Sequence, residues 1–386
     1  MKCICHSLAL CASFACEKFP DDPEKLVRSI YSYMHRSYKR QSELRKFKSF
    51  FNIKPHKLLH ASQTRWLSLI SAVSRILEQY DATQHYFRVE AFDKVSASDE
   101  INSMLNNPLN KIYLLLLEYI LPTFTNLNLE FQSEKPKICN IYPQMLSACK
   151  FLLSCFLKPD YLINKGLEYI QYHNPENFLS IDEIYWDPKA AAELTKHGLK
   201  ETVRNNIKTK CLNFYIEAVD QLYKRFPFNS RETKILQLLT ILSPPNIKTT
   251  ESIALLAFLF PNLVNDINTL DREFRHLKFS NFDFSLDETE FWKEVRNAKR
   301  GDNSLIFPEL ANFVNVLFAL PHSSASVERL FFEINLNKTK MRNKLGSKTM
   351  NGILHSERLI SLNNDSCFNF SVTEDIINRH NNSMYK

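Results

Sequence analysis

From Leu69 to about Arg300 the chain repeats one pattern, apolar residues at helical spacing interrupted by proline and asparagine clusters. Leu69, Val73, Ile76, Leu77 and Tyr80 form one stripe, and Ile112 to Leu121 reads as a buried helix closed by Pro122. Ile138 to Phe156, Ala190 to Tyr223, Lys234 to Leu242 and Ile253 to Leu259 continue the series. Asn106-Asn107-Pro108 and Ser243-Pro244-Pro245-Asn246 punctuate it, and no internal repeat of fixed period is present. A block of this kind can bury its stripes only as helix against helix, so a mainly α fold is predicted. The mixed charges of Asp271 to Arg300 read as a solvated helical surface, with Trp292 as a packing residue.

The segment before this block is predicted to be helical as well. Leu8, Cys11, Ala12 and Ala15 share a face over residues 3–16. Pro23 to Phe51 reads as one helix with Leu26, Ile30, Tyr33 and Met34 inside. Arg36, Lys39, Arg40, Arg45, Lys46 and Lys48 fall mostly outside. Pro55 breaks that helix, Lys57 to His60 is expected to form a short strand, and a new helix begins at Leu67. Residues 1–60 carry 12 Lys/Arg and 5 Asp/Glu, so this segment alone equals the whole chain's net charge of +7. Such a bias permits contact with phosphate backbones, which makes Arg36, Lys39 and Arg40 candidates for nucleic-acid binding.

Several function classes are disfavoured. The chain has five glycines and neither a GxGxxG nor a GxxxxGK[ST] motif, so no nucleotide-cradling loop is expected. Nine cysteines without a regular framework read as reduced thiols of an intracellular protein. Cys3, Cys5, His6, Cys11 and Cys16 have a metal-like composition, but no second pair follows at finger-like spacing. Buried helix cysteines are therefore expected, and no metal. The longest apolar run contains Glu118 and is too short to span a bilayer, so no membrane partner is expected.

The region Phe307 to Leu362 is different. Pro321 precedes a serine pair, Ser323-Ser324, either of which is expected to cap a helix. Val327, Leu330, Phe331 and Ile334 then share one face. A basic link follows from Lys338 to Lys348 with no acid in it, and Met350, Ile353, Leu354 and Ile360 start a second amphipathic helix.

Three pieces of this region, FPEL (307–310), PHSSASVERLF (321–331) and NLNKTKMRNKL (335–345), stand in order and at close spacing. They resemble the C-terminal region of hAT-superfamily (hobo/Activator-type) transposases and the host proteins derived from them. Cys3-x-x-His6 followed by Leu8 and Leu10, and Thr64-Arg65-Trp66-Leu67-Ser68, resemble two further stretches of that family. Phe332 departs from it, standing where the family usually has Ser.

The resemblance implies an incomplete RNase H-like core with a large all-helical insertion. Its parts would be residues 1–66 (core remnant), 67–300 (insertion), 301–362 (C-terminal dimerisation region) and 363–386 (a polar tail that frays). It implies self-association, or association with a related hAT-type protein, through Leu330, Phe331, Ile334, Met350, Ile353 and Leu354. It implies nuclear localisation, the alternative being cytoplasmic. DNA is an implied partner, with Lys340, Arg342 and Lys344 as further phosphate contacts. Trp66 would then stack on an unpaired base, although a packed core indole is the simpler reading.

The family's reaction is metal-assisted phosphoryl transfer at three carboxylates, of which Glu328 matches the third. The other two, both Asp, would lie upstream of the Cys-x-x-His stretch, which here begins at Cys3. The expectation is accordingly a non-catalytic protein or fragment without Mg²⁺ or Mn²⁺, because a lone carboxylate holds such an ion weakly. The alternative is the C-terminal part of an active transposase, cleaving DNA and transferring strands with Asp residues supplied upstream.

Overall fold

The computed structural model describes residues 3–61, 67–90, 96–163, 165–362, 365–366 and 368–379. It is mainly helical. Among the described residues the only β pairings are two isolated bridges, Leu157 with Phe178 and Lys299 with Leu305. The chain divides into two bodies, Met1–Ser323 and Ser324–Lys386.

The first body opens with α1 (Ile4–Cys16), α2 (Asp22–His35) and α3 (Tyr38–Phe50). The expected single helix from Pro23 to Phe51 is interrupted at Ser37, which turns extended and accepts the Arg40 N–H as the cap of α3. Residues 53–61 have no regular structure, and further along come α4 (Leu67–Glu78), α5 (Tyr80–Glu90), α6 (Ser96–Asn106), α7 (Pro108–Ile120) and α8 (Pro122–Phe131). Pro108–Phe131 is long and apolar enough to cross a membrane by composition, yet 61% of its most apolar window is buried in this fold.

Next come α9 (Ile141–Ser154), the single turn α10 (Pro159–Leu162), α11 (Pro188–Lys196) and α12 (Glu201–Arg225). Ala190 to Tyr223 is therefore two helices, not the single stretch the apolar pattern suggests. Gly198 adopts φ +58°, and Leu199 N–H returns to Leu194 O, a closure that ends α11. The body is completed by α13 (Arg231–Leu239), α14 (Pro244–Ile247), α15 (Ala254–Leu259), α16 (Ile267–Leu277), α17 (Glu288–Asn297) and α18 (Pro308–Phe318).

The helix α1 sits inside this body, packed against α8 and α12. Leu8, Cys11, Ala12 and Ala15 are buried as expected, and just beyond the helix Phe19 stacks on Phe214 of α12 at 4.9 Å. Asn128 Nδ2 of α8 donates to Cys5 O at 2.7 Å. The N-terminal helices thus share one core with the helices after residue 67. The segment Asp271 to Arg300 is less solvated than its charges suggest, because Phe274, Leu277, Phe291 and Val295 are buried against α18 and its neighbours. Trp292 is a packing residue, its Nε1–H donating to Leu242 O at 2.8 Å.

Two N-terminal expectations are corrected. Lys57 to His60 is no strand; residues 53–61 have no regular structure, and their carbonyls are taken by side chains rather than by a ladder. Lys48 is not outside either. It is only 6% exposed, and its ammonium donates to His56 O at 2.9 Å.

The second body holds α19 (Ala325–Asn337), α20 (Ser347–Leu362) and a short α21 (Glu374–Arg379). In the tail expected to fray, α21 forms and carries an Asp375–Arg379 ion pair at 2.9 Å.

Candidate interaction surface

The second body is built on a helix start that works differently from the expected cap. Ser324 occupies the N-cap position, but its hydroxyl does not accept a backbone N–H; it donates to Glu328 Oε1 at 2.8 Å. Glu328 N–H in turn donates to Ser324 O at 2.9 Å. The carboxylate therefore closes the first turn of α19, where the partial positive charge of the helix favours an anion. Among the described residues no group of three or more His, Cys, Asp or Glu is placed to hold a metal ion. Cys5 and Cys11 point into the core, and burial pushes the Cys11 thiol up to about 12. His6 lies exposed on another side of α1.

Beyond α19 the chain turns through residues 338–346, where Arg342 N–H donates to Thr339 Oγ1 at 3.2 Å. The helix α20 returns against α19. Its Met350 is buried, and Ile353, Leu354 and Ile360 on the same side are half-buried. These are the least exposed apolar residues of α20.

The cover is incomplete. Leu330 and Phe331 remain exposed, Phe331 to 60%, with Val327 beside them, and Ile334 is half-buried. A second stripe was missed by the sequence pattern. Phe332 and Leu336 lie four residues apart on the opposite side of α19 and are 58% and 61% exposed. A helix that is apolar on two opposite sides needs a neighbour on each, and α20 is only one. The pairing of Phe332 with Leu336 at i, i+4 was the signal that could have found it.

The basic candidates fall in both bodies. Lys340, Arg342 and Lys344 are exposed in the 338–346 turn, and Arg36 and Lys39 are exposed around the start of α3. Lys39 faces Glu43 at 3.8 Å. Arg40 is used internally, because its guanidinium lies 3.7 Å over the Tyr33 ring and Nη1 donates to Tyr33 O at 3.1 Å. Trp66 lies outside the described residues. Neither a family model nor a curated protein matches this sequence.

Proposed function

We propose that this chain acts as an association module of the hAT-transposase-derived type, with a second copy of itself or a related chain seated on the α19–α20 pair. The supporting observation is the exposure of Leu330, Phe331, Phe332 and Leu336 in a body that buries little more than Ala325 and Met350. Water-exposed apolar side chains concentrated on one small element mark interaction sites in soluble proteins. Association would remove them from water, each fully buried side chain contributing roughly 1.5–3 kcal/mol. On this reading the first body is the helical insertion joined to part of an RNase H-like core, and Glu328 serves the start of α19.

The test is the mass of the full chain in solution, measured by sedimentation equilibrium. Wild type is expected to associate, and the double variant Leu330→Asp plus Phe331→Asp, at two exposed positions, to run as a folded monomer with an unchanged helical spectrum. A wild type that stays monomeric at every accessible concentration would overturn the reading. Loss of fold in the double variant would assign these residues to the second body's own core.

A further inference from the structure

The segment between α3 and α4 is held in an unusual way. It begins where Asn52 takes φ +54° and Ile53 N–H returns to Lys48 O at 2.8 Å, a closure that ends α3. From there to Ala61 the backbone has no regular structure. Lys54, Pro55, His56, Lys57, Leu59 and His60 are exposed, and Ala61 alone is buried. Ile53 and Leu58 are half-buried, Leu58 against the core, so the apolar surface this segment hides is confined to these two and Ala61.

The rest of its attachment comes from polar side chains reaching up to its carbonyls. Lys48 Nζ of α3 and Gln79 Nε2, just after α4, converge on His56 O at 2.9 and 3.1 Å. Arg75 of α4 donates to Lys57 O at 2.9 Å, and Arg28 of α2 donates to Ala61 O. His56 Nδ1 meets Glu78 Oε1 at 2.7 Å. Gln79, one of these anchors, is fully buried, yet its Oε1 has no hydrogen-bond partner. The floor under this segment is thus polar and incompletely satisfied, so wetting it costs little compared with opening an apolar interface.

We infer that residues 53–61 form a strap that lifts from α3 and α4 while the helices stay folded, baring the Lys48 ammonium and the Gln79 amide to solvent. A few side-chain hydrogen bonds, each of about 1 kcal/mol net, and the small apolar contacts of Leu58 and Ala61 stand against the opening. The core beneath α1 needs global unfolding. The strap therefore belongs to the low-energy end of the opening spectrum and the core to the high end.

The experiment is pulsed acetylation of the full chain by an amine-reactive ester, read by mass spectrometry at Lys48. Lys46, exposed on the same helix, reports reagent activity, and Cys149, fully buried on α9, reports global unfolding through a thiol reagent. Lys48 is expected to label faster than Cys149 unmasks, at a rate that does not change with sub-denaturing urea. Gln79→Leu and Arg75→Met should each raise Lys48 labelling roughly fivefold, the ratio that corresponds to one lost hydrogen bond, with Cys149 unchanged. Lys48 labelling that tracks Cys149 across urea, in wild type and in both variants, would overturn the inference. If a variant also speeds Cys149, the wild-type urea dependence decides alone.

Discussion

The Glu273 carboxylate of α16 accepts the Leu310 backbone N–H of α18 at 2.8 Å, so one helix caps the start of another. The FPEL stretch requires this help. Pro308 has no N–H to lose, but Phe307 at the cap position has a side chain that cannot accept a hydrogen bond. Phe307 is buried instead, beside Phe282 at 6.1 Å.

Burial raises the Glu273 carboxyl above its usual range, with Glu309 adding to the shift, while the Leu310 N–H opposes it. The folded chain therefore holds this proton more tightly than the unfolded one, and this group's contribution to stability falls as pH rises from 4.5 through the higher folded value. Glu273→Gln should remove that slope while keeping the acceptor. Glu273→Ala should cost about 1 kcal/mol at neutral pH. Urea titrations of the three proteins at acid and neutral pH check both.

Lys48 gives the opposite sign. Loss of hydration, with Arg75 and Arg45 nearby and Glu78 opposing, lowers its pKa from 10.5 to about 8. Between those values the unfolded chain holds the proton and the folded chain has released it, so stability rises with pH across that window. Buried tyrosines such as Tyr80, whose pKa is raised by burial, pull the other way. The quantity to measure is therefore the difference between wild type and Lys48→Met. It should move in favour of wild type as pH increases from about 8 to 10.5, and a flat difference would exclude a buried, charge-shifted Lys48.

The placement of α1 between α8 and α12 makes it indispensable to the first body. Leu8 is fully buried there, and Leu8→Ala should cost about 2–5 kcal/mol. Chemical denaturation is the check. A cost below 1 kcal/mol would mean that α1 is a dispensable flank.

Arg40 and Lys39, neighbours in the same basic run, should separate. Arg40→Ala removes a guanidinium held over Tyr33 and should destabilise the fold by about 1 kcal/mol. Lys39→Ala should lie within about 0.5 kcal/mol of wild type, since the Lys39–Glu43 pair is exposed and loosely spaced. Melting temperatures of the two variants decide this directly.

Most helices were legible because a stripe of apolar residues has only one period that fits it. The stripes of Leu8 and Cys11, Leu26 and Ile30, and Val73 and Ile76 are all buried. Breaks were less legible, since Ser37 and Gly198 interrupt apolar patterns that continue across them. The second body was legible only in part. The apolar face of Leu330 and Phe331 is legible in the spacing, its exposure is not, and the stripe of Phe332 and Leu336 is masked by the stronger one beside it.

That the chain is helical and where its main apolar faces lie could be read from residue order alone, because both depend on local periodicity along the chain. Tertiary structure decided what each face meets. A stripe cannot say whether its neighbour is α12, as for α1, or solvent, as for much of α19. Nor can a lysine in a basic run announce that it is buried. Lys48 lies under the strap because residues eight positions later in sequence return over it, and such a return depends on the packing of α3 against α5 and not on the order of residues.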